Sequence, residues 1–172
     1  MEKVMEKKGI THVIRGQNPR HFKRAVMDFT GTISLMGALV PGVAELLTQL
    51  SQLVDITIIT SDGRGKAAEA VKDLTAAGVA ELIILKGDDH RSQKALWVLQ
   101  HEPKTIWCLG NGENDSSMLY VVMQAGGISY GVDTGETRAS SLASCTNFIA
   151  QSPLDALRNL GDPACLNTLI GL

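Results

Sequence analysis

Aromatic side chains are scarce in this chain of 172 residues, which has three Phe, two Trp and two Tyr. Stacking platforms for nucleic-acid bases are therefore not expected. An excess of one charge is missing too. Sixteen Lys and Arg stand against 18 Asp and Glu, a formal net charge of −2, whereas a nucleic-acid binder carries a basic surplus. Cysteine is confined to Cys108, Cys145 and Cys165, an odd number without CxxC spacing. All three read as reduced thiols of a cytoplasmic protein. Cys108, inside an apolar run, reads as a small core residue with no base to make it a nucleophile. The histidines (His12, His21, His90 and His101) are dispersed and lack metal-ligand spacing. No apolar run is long enough to cross a bilayer, and the first residues alternate Lys and Glu without the apolar segment of a signal peptide. There is no repeat, no low-complexity linker and no GxGxxG; Gly126-Gly127 reads as a turn. A soluble single domain spanning residues 1–172 is expected, with neither nucleic acid nor membrane as partner.

What remains is a regular alternation of strand and helix signals. Residues 1–24 form a locally basic segment (Lys3, Lys7, Lys8, Arg15, Arg20, Lys23 and Arg24), read as a solvated stretch leading into a hairpin. Ile10 to Ile14 is a candidate strand, and Gly16-Gln17-Asn18-Pro19 a turn. Ala25-Val26-Met27 reads as a buried strand ending at Asp28. Pro41-Gly42 opens a helix in which Val43, Leu46, Leu47 and Leu50 share a face. Strands follow at 55–60, 81–85, 105–109, 128–132 and 147–150, the first rich in β-branched residues. Between and after them, helices are expected at 65–77 (closed by Gly78), 92–101, 115–124, 136–143 and 153–160, with an apolar turn or two in 163–172. Strands alternating with helices predict parallel βαβ units. The fold class expected is α/β: a doubly wound three-layer α/β/α sandwich with a mainly parallel sheet.

In such a sheet the C-terminal strand ends share one edge, where ligands bind. The residues there are chemically alike. The first of these strands runs into Asp28-Phe29-Thr30-Gly31-Thr32, in which Gly31 permits a tight turn. The next ends in Thr60-Ser61-Asp62. The third leads into Lys86-Gly87-Asp88-Asp89, with Lys94 beyond, and the fourth into Gly110-Asn111-Gly112-Glu113-Asn114-Asp115. A strand-end carboxylate such as Asp28 can attack phosphorus or hold a metal ion, and it can equally be an ordinary turn residue. Phosphoryl transfer needs a nucleophile, a cation at the phosphate oxygens, hydroxyl or amide donors, and Mg²⁺ to offset charge. Asp28, Asp115 and the Thr30 carbonyl are oxygen donors of the kind Mg²⁺ takes. Thr60 and Ser61 offer donors to phosphate, and Lys94 offers the cation.

These four segments, in this order, resemble the motifs of the haloacid dehalogenase-like superfamily, and within it the soluble proteins similar to the phosphorylation domain of P-type ATPases. The likeness runs from about Val26 to Leu160. The resemblance implies Asp28 as nucleophile and Mg²⁺ ligand, with Thr60, Ser61 and Gly31 at the phosphate. It implies Lys94 stabilising Asp28 and the phosphoryl group, and Asn111 and Asp115 completing a metal site with Asp28 and Thr30. It also implies a small phosphorylated substrate. Two positions depart from the pattern. Thr30 stands where most phosphatases of the superfamily have an acid–base Asp, and a hydroxyl does not serve that purpose at neutral pH. Asn111 stands where many relatives have Asp, which removes one negative charge from the metal site. Asp62 is a candidate to restore it, and His90 lies close enough in sequence to approach the site. The segment from Thr32 to Pro41 is too short for a cap domain, so the site should be open. By resemblance a homo-oligomer would cover it.

Two other functions compete with a phosphohydrolase or phosphotransferase. One is a phosphate-binding or regulatory module with little turnover, favoured by Thr30 and Asn111. The other is a receiver-like signalling domain, against which the Gly31-Thr32 pair and the 110–115 loop count.

Overall fold

The structure, a computed structural model, describes residues 6–63, 65–135 and 140–170. An antiparallel hairpin comes first, β1 (Ile10–His12) and β2 (Arg20–Phe22), turned by the segment around Gly16. Strand β3 (Arg24–Met27) follows, then a second hairpin of β4 (Ser34–Leu35) and β5 (Ala38–Leu39). From there strands and helices alternate: α1 (Val43–Leu50), β6 (Asp55–Thr60), α2 (Ala67–Ala70), α3 (Lys72–Ala76), β7 (Glu81–Ile84), α4 (His90–Leu99) and β8 (Ile106–Gly110). The last elements are α5 (Ser116–Ala125), β9 (Ile128–Val132), α6 (Leu142–Cys145), β10 (Phe148–Ala150), α7 (Pro153–Gly161) and α8 (Cys165–Leu169).

Six strands pair in parallel in the order β10-β9-β8-β3-β6-β7. Renumbered along the chain this is 6-5-4-1-2-3, the doubly wound order whose direction of winding reverses between β3 and β8. The expected α/β sandwich is therefore what forms. The pleat explains its three layers, because successive side chains of a strand point to opposite faces. Ala25 and Met27 of β3, with Trp107 and Leu109 of β8, join one core together with Leu47 of α1, Val71 and Leu157 of α7. Val26, Ile106 and Cys108 join the other, against Val98 of α4, Met118 and Val122 of α5 and Leu142 of α6. Central strands covered on both faces read as unbroken apolar runs, as RAVM and IWCLG do.

Several boundaries differ from the sequence expectation. The helix expected over 65–77 starts only at Ala67 and kinks at Val71 (φ −109°, ψ 9°), though Val71 N→Ala67 O and Thr75 N→Val71 O carry it through. The helix expected from Ser92 begins at His90, because the Asp89 side chain accepts from Ser92 N at 3.2 Å and caps it. His90 is thus the first residue of α4 and not a loop residue. Residues 136–139 of the helix expected over 136–143 lie outside the described residues, and α6 covers Leu142–Cys145. The β4–β5 hairpin was not expected. Its turn residues Met36 (φ 53°) and Gly37 (φ 85°) are both left-handed, the geometry that matches the twist of a two-residue hairpin. No other element is inserted between β3 and α1, and among the described residues no cap domain interrupts the sheet. No described helix is long and apolar enough to cross a membrane.

The N-terminal hairpin is fastened to the C-terminal helices by a buried histidine. His12 packs on Phe22 and Trp107, and its Nε2 donates to Leu160 O at 2.8 Å. Burial, opposed by that hydrogen bond and by Asp162, lowers its pKa from 6.5. The unfolded chain therefore takes up this proton first as pH falls, and stability contributed by neutral His12 is lost below about pH 6.5. The stability difference between wild type and His12→Gln should accordingly shrink as pH drops from about 7 to about 5 in urea unfolding. A difference independent of pH would overturn this account of His12.

Candidate active site

The reversal of winding leaves a crevice between the ends of β3 and β8, and the first residues past those strands are Asp28 and Asn111. Asp28 N donates to Leu109 O at 3.1 Å, which extends the sheet pairing one residue beyond β3. The backbone then curls back. Gly31 takes φ 72°, and the amides of Thr32, Ile33 and Ser34 converge on Phe29 O. Gly31 thus shapes the turn, and its carbonyl is held by Thr134 Oγ1 at 2.8 Å.

Lys94 enters from α4 with its side chain buried. Its Nζ donates to Asp28 Oδ1 at 2.7 Å and to Asp115 Oδ1 at 2.6 Å. Asp115, also buried, uses its second oxygen to accept from the amides of Asn111 and Gly112, both at 3.0 Å. Gly110 makes that approach feasible, since a Cβ there would lie 2.6 Å from the Asp115 Cβ. Both carboxylate oxygens of Asp115 are therefore occupied, by the ammonium on one side and by its own loop on the other. Thr32 Oγ1 lies 3.3 Å from Asp28 Oδ2 and 3.0 Å from Asn111 Oδ1, joining the two strand ends.

One cation here serves two buried anions, and the titration of the groups follows from that. Burial and then the charge of Asp115 push the Asp28 carboxyl from 3.8 up to about 6, against the pull of Lys94. Burial alone would lower Lys94, but Asp115 and Asp28 outweigh it and hold the ammonium above its ordinary 10.5. Burial, and then Asp115, drive the Cys108 thiol well above its ordinary value, which fits its reading as an inert core residue.

A cavity of ≈ 250 Å³ opens at this point, lined by Asp28, Thr30, Ser61 and Asn111, with Gly63, Gly112 and Asn114 completing its wall. Of the residues singled out in the sequence, Asp28, Thr30, Lys94, Asn111 and Asp115 come together at this place, and Ser61 faces them across the cavity. Thr60 is buried beside it at the end of β6, its hydroxyl oxygen accepting from Asp62 N at 3.1 Å. Asp62 does not take up the charge absent at Asn111. It is in a left-handed conformation (φ 48°), and its Oδ1 accepts from Lys66 N and Ala67 N at the start of α2. His90 does not line the cavity. Thr32 was part of the pentapeptide but had no assigned role, and Gly63 and Asn114 carried no signal beyond their place in strand-end loops.

Among the described residues, no three carboxylate, imidazole or thiolate groups gather as a metal cluster. A hard cation that keeps most of its waters still fits the donor set. The cavity wall carries Asp28, Asn111 and Thr30, all oxygen donors, and the buried triad behind it is one positive charge short of neutrality.

No protein-family model matches the chain, and no curated protein does. Solved structures do. A haloacid dehalogenase-like hydrolase of Streptococcus pneumoniae aligns with 80% of this chain and 97% of its own at 12% identity and a TM-score of 0.57. The 3-deoxy-D-manno-octulosonate 8-phosphate phosphatase of Moraxella catarrhalis, solved with magnesium, phosphate and KDO, aligns over 87% and 91% at 13% identity and a TM-score of 0.59. A cobalt-bound deoxy-D-mannose-octulosonate 8-phosphate phosphatase of Haemophilus influenzae aligns over 83% and 91% at 10% identity, with a TM-score of 0.57. This is the haloacid dehalogenase-like fold. The expected fold and the absence of a cap are borne out.

Removing the shared cation tests the charge argument. Lys94→Met leaves Asp28 and Asp115 buried without a counter-ion and should destabilise the protein by about 3–5 kcal/mol at neutral pH. The carboxyls can escape by taking up protons, so the deficit should shrink as pH is lowered. Urea unfolding at two pH values measures both, and a deficit that grows toward acid pH would contradict the argument.

Proposed function

We propose that the protein is a Mg²⁺-dependent phosphohydrolase or phosphotransferase that acts on small phosphorylated substrates through an aspartyl-phosphate at Asp28. The observation that carries this reading is the Lys94 ammonium clamped between Asp28 and Asp115 at the open crevice of the sheet. A carboxylate so held is fixed in direction, and its charge is partly balanced without being buried from the cavity.

In the proposed reaction the Asp28 carboxylate attacks phosphorus and the bond to the leaving group breaks on the opposite side. Lys94 stays with Asp28 and offsets charge on the phosphoryl oxygens. Ser61 lines the cavity where it can donate to one of those oxygens, with Thr60 next to it. Thr32 steadies the second oxygen of Asp28. Mg²⁺ would be held by Asp28, Asn111 and Thr30 at the cavity wall, which Asp115 braces from behind through Lys94 and the Asn111 amide, and when bound it would neutralise phosphoryl charge. The likeness to phosphatases of the same fold supports the reaction class, although at 10–13% identity it carries the fold and not the substrate.

The second reading, a phosphate-binding or regulatory module, draws on Thr30 and Asn111 at the cavity wall. It differs in one measurable respect: with Mg²⁺ and a broad set of phosphorylated compounds it releases no phosphate above a metal-free blank. The proposed enzyme does.

Asp28 decides the matter. Beryllofluoride with Mg²⁺ mimics a phosphoryl group on a carboxylate and should raise the melting temperature of the wild type, because a ligand bound only to the folded state stabilises it. Asp28→Asn should abolish both this rise and turnover. Full turnover in that variant would eliminate the aspartyl-phosphate.

A further inference from the structure

We infer that the groove between helices α4, α5 and α6 is a second binding site, for a small zwitterion of the α-amino acid class with an apolar side chain. It lies outside the catalytic cavity and does not depend on the reaction proposed at Asp28.

The groove has a volume of ≈ 540 Å³, inside the range of about 300–1,000 Å³ typical of small-molecule sites. Two opposite charges line it: Arg91, on the first turn of α4, and Glu113, in the loop after β8. Each is held by a hydroxyl and not by a counter-charge. Arg91 Nε donates to Ser117 Oγ on α5 at 2.8 Å, and the Ser141 hydroxyl lies 3.2 and 3.3 Å from the two carboxylate oxygens of Glu113. Among the described residues the two stand beyond ion-pair distance of each other, and neither has another ion-pair partner. A guanidinium has five N–H donors in a planar fork, of which Ser117 takes one, so the Nη atoms can take a carboxylate side-on. Ser141 has a single proton to give, which leaves lone pairs on Glu113 for an ammonium.

The rest of the lining is uncharged. Tyr120 presents a ring that is 49% exposed, with Val121 and the buried Cys145 also on the floor. Such a ring is surface that an apolar side chain can cover. Burial is the largest cause that raises the Cys145 thiol; among the lesser ones Glu113 raises it and Arg91 lowers it, so both charges act on this floor. The charge pattern then selects the ligand. Phosphate or another simple anion gains at Arg91 and is repelled at Glu113, and an amine or a metal ion meets the reverse. A ligand that covers the groove takes both charges out of water, and only one that carries both opposite charges leaves neither unpaired. An α-amino acid joins a carboxylate, an ammonium and a side chain at one carbon, which matches two opposite charges flanking an apolar floor. The loop that carries Glu113 also walls the catalytic cavity, at Gly112 and Asn114, so the two sites share one segment.

The test is isothermal titration calorimetry of the full chain with L-phenylalanine, L-leucine, phenethylamine, hydrocinnamate and inorganic phosphate. L-Phenylalanine should bind at a single site. Phenethylamine, which lacks the carboxylate, and hydrocinnamate, which lacks the ammonium, should each bind about tenfold or more weakly by comparison. Arg91→Met should weaken L-phenylalanine and hydrocinnamate by about tenfold and leave phenethylamine unchanged, and Glu113→Gln should weaken L-phenylalanine and phenethylamine but not hydrocinnamate. Asp28→Asn should bind L-phenylalanine as the wild type does, whatever becomes of its turnover. Hydrocinnamate or phosphate bound as tightly as L-phenylalanine would make this an anion site and overturn the inference. So would the absence of heat from both amino acids at up to about 10 mM, or loss of binding in Asp28→Asn, which would move the ligand to the catalytic cavity. Arg91 and Glu113 are both exposed, so their variants should fold, and the wild-type ranking decides the question without them.

Discussion

A single ammonium buried between two carboxylates holds this end of the molecule together. Lys94 is the only cation in contact with Asp28 and Asp115 among the described residues, and each of the three belongs to a different segment: the turn after β3, helix α4 and the loop after β8. Without Asp28 and Asp115 a lysine buried in α4 would be costly, and without Lys94 the two acids would repel. The three are stable only as a set. Their sum is one negative charge, and burial, then the charge of Asp115, raises the pKa of Asp28, the member that reaches the cavity. A group in that state attracts positive charge or an electrophile at its free face, which is the property a phosphoryl acceptor needs.

The fold delivers those segments to one place through its order of strands. Because winding reverses between β3 and β8, the loops after these two strands lead away from each other and leave the crevice between them uncovered. Thr32 spans it, its one hydroxyl proton lying within reach of both Asp28 Oδ2 and Asn111 Oδ1. Beyond the sheet, the constraint is covalent geometry at a few positions. Gly110 admits Asp115 against the strand end, and Gly31 turns the chain after Asp28. A side chain at Gly110 would push on Asp115, and one at Gly31 would strain the left-handed turn, so these glycines belong to the site as much as the charged groups do.

Much of this was legible in the sequence because it depended on position along strands. Asp28, Ser61 and Asn111 follow apolar β-branched or aromatic-containing runs, and a parallel sheet necessarily collects such residues at one edge. What was not legible depended on directions that a run of letters does not contain. Asp62 and Asp28 are both strand-end acids, yet Asp62 turns toward the start of α2 because its own φ is left-handed. Asp115 read as a metal ligand, and its oxygens are occupied by Lys94 and two amides, a detail that requires the loop's curvature. His90 sits in α4 because the Asp89 side chain caps the helix by accepting from Ser92 N. The β4–β5 hairpin had no sequence signal, since Met36-Gly37 is not the Asn-Gly or Asp-Gly pair that marks such turns.

Thr30 and Asn111 acquire a common meaning once the geometry is considered. Phosphoryl transfer to an aspartate separates into two halves with different needs. Formation of the aspartyl-phosphate needs an oriented nucleophile and positive charge near the phosphoryl oxygens, and Asp28 with Lys94 has the arrangement for it. Its hydrolysis needs a base to activate water beside the phosphorus, and Thr30, the residue lining the cavity where such a base would stand, cannot serve. Asn111 keeps an oxygen donor at the wall without adding a third carboxylate to a cluster already short of positive charge. Both departures spare the triad further negative charge, and both bear on the second half of the reaction more than on the first. On the proposed reading, the same residues that make Asp28 a good acceptor therefore leave the phosphorylated state poorly equipped to decay. The lifetime of that state, rather than the rate of its formation, becomes the property the two substitutions set.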